Sequence, residues 1–135
     1  MRRMILAIAV IGLAGCLAAD DLPAANQAVT RFHQMLDAGQ FQQIYDQSAT
    51  EMRQATTGPK LVALLAAVNR KLGTVKSTAQ QGWNDQINPG GHFLTIGYKT
   101  SFARADGVET FTFRIADKQA KLVGYNINSD ALITN

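Results

Sequence analysis

From Ala25 the apolar positions run Ala25, Ala28, Val29, Phe32, Met35 and Leu36, a helical stripe on one face. Asp20 and Asp21 precede it where a helix N-terminus favours negative charge, and Pro23 suits a first turn. Asp37-Ala38-Gly39 ends the stripe, with Gly39 placed as a C-terminal cap. A second helix carries Phe41, Ile44 and Tyr45, and Ser48-Ala49-Thr50-Glu51 fits a capping box for a short third one with Met52 facing inward. Thr57-Gly58-Pro59 breaks the chain again. Leu61, Leu64, Leu65, Val68 and Leu72 then predict a strong helix, closed by Arg70, Lys71 and Gly73.

After Gly73 the period changes to two. Thr74 to Gln81 is β-prone and can run on towards Ile87, and Asn88-Pro89-Gly90-Gly91 is a turn. His92, Leu94, Ile96, Tyr98, Thr100 and Phe102 alternate with Phe93, Thr95, Gly97, Lys99 and Ser101. Ala105-Asp106-Gly107 predicts a hairpin, leading to Phe111, Phe113 and Ile115, and Asp117-Lys118-Gln119 turns the chain into Leu122–Ile127. Helices first and an antiparallel meander second predict an α+β domain, helices packed on one face of about four strands. That domain is expected over residues 23–128, with a tether at 16–22 and a tail at 129–135.

The N-terminal fifteen residues have a separate character. Arg2 and Arg3 precede a run of ten mostly apolar residues from Ile5 to Ala14. That is about half of what a membrane-spanning helix needs, so residues 1–15 read as a signal peptide. The run ends in Leu13-Ala14-Gly15-Cys16, which resembles the bacterial lipobox, and the chain's single cysteine sits where acylation requires it. The expectation is a lipid-anchored envelope protein attached through Cys16. Leu17 after the cysteine implies the outer membrane, facing the periplasm. Signal cleavage after Ala18 or Ala19 would instead give a soluble periplasmic or secreted protein. A cytosolic chain with a buried N-terminal helix is the third option.

Composition narrows the function classes. Of 135 residues, 47% are hydrophobic and 17% charged, which excludes a disordered chain. Without residues 1–15, which hold two of the thirteen Lys and Arg, eleven basic residues face ten acidic ones. A net charge of +1 gives no basis for nucleic-acid binding. One cysteine excludes a disulfide framework within the chain.

The segments Leu36-Asp37-Ala38-Gly39-Gln40-Phe41, Tyr98-Lys99-Thr100-Ser101-Phe102-Ala103, Val108-Glu109-Thr110 and Val123-Gly124-Tyr125 resemble a bacterial secreted family of unknown function, the 4019 type. The likeness spans roughly residues 24–128. It implies the nuclear transport factor 2-like, cystatin-like cone with a curved sheet, and an export route. A tryptophan of the family's pattern is replaced here by Leu61 or Val62, and no catalytic residue carries over.

No GxSxG, GxxxxGK[ST] or GxGxxG motif is present, and Gly90-Gly91 is followed by no helix start that could cradle a phosphate. The acids Asp37, Asp46, Glu51, Asp85, Asp106, Glu109, Asp117 and Asp130 are dispersed. Asp46 flanks an apolar stripe and reads as a solvated helix residue. His33 and His92 could each serve acid–base chemistry beside a carboxylate, but read more simply as boundary imidazoles. Two histidines without HxxxH or HExxH spacing make a weak metal case, so no metal site and no cofactor are expected.

Tyr45, Trp83, Tyr98 and Tyr125 are aromatic residues with polar tips, suited either to core packing or to a cavity wall. Trp83 lies among polar residues and suits an interface. The expected ligand pocket comprises Tyr45, Trp83, His92 and Tyr98, at the open end of the cone. Three functions stay open. One is a non-catalytic envelope module that binds a small apolar ligand or a protein partner. The second is an acid–base enzyme with a His–carboxylate pair in the cone. The third is an interaction module using the outer sheet face of Thr95, Lys99, Thr110, Thr112 and Arg114, with homodimerisation through the sheet among its forms.

Overall fold

The computed structural model describes residues 17–134, with side chains from Asp21 onward. The expected signal peptide and Cys16 lie outside the described residues. Helix α1 (Leu17–Asp37) buries Ala25, Ala28, Val29, Phe32 and Leu36, the stripe expected from spacing. Residues 17–22 of the segment expected as a tether are instead its first six residues, and Leu22 packs against the core. Packing of Leu22 on the core keeps the chain helical through Pro23, which forgoes one backbone hydrogen bond. Gly39, at φ +72°, ends α1 as expected. Gly39 N–H donates to the Leu36 carbonyl at 3.2 Å and Gln40 N–H to Met35 at 2.9 Å, the paired bonds of a Schellman cap.

Helices α2 (Phe41–Asp46) and α3 (Thr50–Ala55) bury Ile44 and Met52. The capping box does not form: Ala49 is the N-cap, Ser48 Oγ donates to the Ile44 carbonyl at 2.7 Å, and Glu51 bonds Arg114. A charged partner on the sheet outcompetes the backbone for that carboxylate. Helix α4 (Gly58–Leu72) has Thr57 as N-cap, accepting from Lys60 N–H at 3.4 Å. Leu61, Leu65, Val68 and Leu72 are buried, but Leu64 is 39% exposed. Leu64 stands about 60° off the line of the other four, at the flank of the stripe.

Strands β1 (Val75–Asn88), β2 (Gly91–Phe102), β3 (Asp106–Ala116) and β4 (Gln119–Asn128) form one open antiparallel sheet in the order β1-β2-β3-β4. The fold is α+β, helices against one sheet face. Its core side carries Leu94, Ile96, Tyr98, Phe102, Phe111, Phe113, Ile115 and Leu122, on which the helices pack. The β2–β3 turn, Ala103-Arg104-Ala105, falls two residues earlier than expected, because Asp106 and Gly107 already pair with Ser101 and Thr100. Asp117 and Lys118, at φ 52° and 60°, make the two-residue β3–β4 turn, whose positive φ values match strand twist. β1 is irregular, with register shifts between Val75 and Ser77 and between Gln80 and Trp83.

The expected C-terminal tail is docked. Helix α5 (Asp130–Ile133) packs Ala131 and Leu132 on the core, Lys71 Nζ donates to the Leu132 carbonyl at 3.0 Å, and Ser129 Oγ donates to the Asp106 carbonyl at 2.6 Å. Among the described residues no helix is long and apolar enough to cross a membrane.

Candidate functional site

Glu109 alternates with Phe111, Phe113 and Ile115 along β3, so its side chain points into the core, where it is fully buried. Burial of a carboxylate requires donors, and three are supplied. His33 Nε2, from α1, lies 2.8 Å from Oε1; Thr100 Oγ1, from β2, donates to the same oxygen at 2.6 Å. Tyr125 OH, from β4, donates to Oε2 at 2.6 Å. Burial, reinforced by the neighbouring Glu109 charge and hydrogen bond, pushes the Tyr125 phenol well above its ordinary value. Phe32 and Phe111 wall this group, with ring centroids 4.7 and 5.2 Å from Tyr125.

His33 therefore has the carboxylate partner that spacing alone did not show. The signal was present in the parity of Glu109 with the β3 core residues. A His–carboxylate–phenol group can in principle relay a proton. Here each member is occupied by another. Among the described residues no buried side-chain nitrogen or oxygen lacks a hydrogen-bond partner.

A cleft of about 420 Å³ opens between α1, α2 and the β3–β4 turn. Its buried lining residues Ala28, Phe32, Ile44, Phe113 and Leu122 give it an apolar floor, while exposed Arg31, Lys118 and Lys121, with Gln27, Gln47 and Gln119, make its mouth polar and cationic. None of His33, Glu109 or Tyr125 lines it.

The four residues expected as a pocket are not gathered there. Tyr45 OH donates to the Thr56 carbonyl at 3.2 Å and its ring abuts Gly58, holding α2 to the start of α4. Tyr98 is 5% exposed, its hydroxyl donates to Asn26 Oδ1, and burial raises its phenol pKa. His92 and Tyr98 share one face of β2 but stand about 20 Å apart along it. Trp83, opposite Ile96, occupies that face on β1 and is 47% exposed.

His92 also has carboxylate neighbours. Its Nε2 lies 2.5 Å from Asp85 Oδ1 and 3.4 Å from Asp21 Oδ2, and one ligand atom from each of the three falls within 4.8 Å of the others. Near the same sheet end Arg114 Nη2 donates to Glu51 Oε1 at 2.9 Å and to the Gly90 carbonyl at 3.0 Å. Its guanidinium also lies 4.8 Å from the Phe93 ring centre. These bonds and the Arg114 charge hold the Glu51 carboxyl below its usual pKa.

No curated protein matches this sequence. The model of a protein family of unknown function, DUF4019, matches residues 28–125, from the stripe of α1 to Tyr125 of β4, so the chain belongs to that family.

Proposed function

We propose that the protein is a cell-envelope lipoprotein, exported by residues 1–15 and anchored through acylated Cys16, whose α+β domain is a non-catalytic binding module for a small, largely apolar ligand. Helices followed by a four-strand meander support the nuclear transport factor 2-like architecture implied by the sequence resemblance. The observation that carries the binding reading is the cleft: apolar at the floor, cationic at the mouth, and near the lower end of ligand-pocket sizes. Such a surface suits an apolar chain ending in an anionic group. The His33–Glu109 pair favours the alternative, an acid–base enzyme, but neither residue reaches the cleft wall. Outer-membrane placement follows from Leu17 as the residue after the acylated cysteine.

Thermal unfolding of the full envelope-extracted chain, with and without octanoate below its micellar concentration, tests the cleft. Octanoate raises the wild-type midpoint. Ala24→Trp, which fills the cleft, and the rim variant Arg31→Glu with Lys121→Glu remove that rise. An unshifted wild-type midpoint refutes the ligand reading. Intact mass tests the anchor, and an unmodified chain beginning at Ala19 or Asp20 rejects it.

A further inference from the structure

Independently of the cleft, the geometry points to a site for one divalent transition-metal ion at Asp21, Asp85 and His92, joining the beginning of α1 to the outer strand of the sheet. Register builds two thirds of it. Asp85 pairs with Leu94 and Ile87 with His92, so Asp85 and His92 are diagonal neighbours on one face of β1–β2. Helix α1 crosses that face and adds Asp21 from a distant part of the chain. All three side chains are sheltered without being sealed, at 14–21% exposure.

Two carboxylate oxygens converge on one imidazole nitrogen. That nitrogen carries at most one proton and can donate to only one of them. A cation at the centre satisfies all three through lone pairs and offsets the charge of the two carboxylates. Tetrahedral coordination at about 2.0–2.2 Å places neighbouring ligand atoms about 3.3–3.6 Å apart. The Asp21–His92 separation of 3.4 Å already fits. The Asp85–His92 separation of 2.5 Å has to open by about 1 Å, within reach of side-chain rotation at partly exposed residues. One nitrogen and two carboxylates suit Zn2+, Mn2+ or Fe2+, with the fourth position facing solvent.

The fold supplies its own reporter. Trp83, the chain's single tryptophan, lies opposite Ile96, two places along the same face from Asp85 opposite Leu94, about 7 Å away. Paramagnetic Co2+ in the site quenches its emission. The only other histidine, His33, is buried against Glu109 and does not compete.

The test titrates the full chain, stripped with chelator, with Zn2+ by calorimetry and with Co2+ by tryptophan emission. One equivalent binds with a Kd below about 100 µM, and Zn2+ raises the unfolding midpoint. Asp21→Asn, Asp85→Asn and His92→Gln each weaken binding at least tenfold. Asp21→Asn is the decisive variant, because its polar, partly exposed replacement leaves the helix and the His92–Asp85 contact in place. Absence of one-to-one binding overturns the proposal and leaves an ordinary His92–Asp85 hydrogen bond. Affinity lost in His92→Gln but retained in both Asn variants also overturns it, as surface imidazole binding.

Discussion

Tyr125→Phe isolates one bond of the buried network. The ring remains, with its contacts to Phe32 and Phe111, and only the hydroxyl that donates to Glu109 Oε2 is lost. His33 and Thr100 both serve Oε1, so among the described residues Oε2 is left without a donor inside the core. A hydrogen bond to a charged group contributes about 1.5–3 kcal/mol. At about 4 °C per kcal/mol for a domain of this size, the midpoint should fall by about 6–12 °C at pH 7. Circular dichroism of the full chain during heating measures it. A fall below about 2 °C would mean that water or a rearranged donor satisfies Oε2 and that the network is not closed. The pH dependence supplies a second reading. The folded-state phenol titrates above the unfolded value of about 10, so its contribution is intact below pH 10 and is lost as pH rises through the folded value. The gap between wild type and Tyr125→Phe should therefore narrow above pH 10, in urea midpoints. Tyr98, also raised, keeps some alkaline loss in both proteins.

Leu65→Ala removes a fully buried side chain of α4 and should cost about 2–5 kcal/mol, while Thr112→Ala on the opposite sheet face should cost less than about 1 kcal/mol. Similar urea midpoints for the two would reverse the assigned faces. Glu51→Gln should reduce stability at pH 7 and have no effect near pH 2. The depressed carboxyl contributes above the ordinary Glu value of about 4.3 and loses that contribution as pH falls through its folded value. An equal gap at both pH values would show that packing, rather than charge, ties Glu51 to Arg114.

The fold was legible because the chain changes period once, from helical spacing up to Leu72 to alternation from His92 onward. Four of the five α4 positions read as core are core, and the fifth, Leu64, is the one at the edge of the stripe. The start of α1 was misread because Pro23 is a helix-start signal that tertiary packing of Leu22 overrides. β1 gave little pattern because nearly all of its residues are exposed and its register shifts twice. The polar network was half legible: alternation places Glu109 inward, but nothing in sequence spacing ties residue 33 to residue 109. The expected pocket failed to gather for a related reason. Tyr98 and His92 share a face, and periodicity reports the face without reporting distance along it.

The two borders of the sheet differ, and the difference sets how copies of this domain can add to one another. At β4 the Ala49 N–H donates to the Leu122 carbonyl at 2.8 Å, so the α2–α3 junction interrupts that border at Leu122. At β1 a 14-residue strand presents its outer backbone groups without a neighbouring strand among the described residues. Head-to-tail addition needs one border of each kind free along its length, and the bond at Leu122 breaks the run of outer groups on β4. Edge pairing between copies is thereby favoured at β1, where two strands meeting about a two-fold axis close the assembly at two and leave no sheet edge that grows into a filament by the same contact.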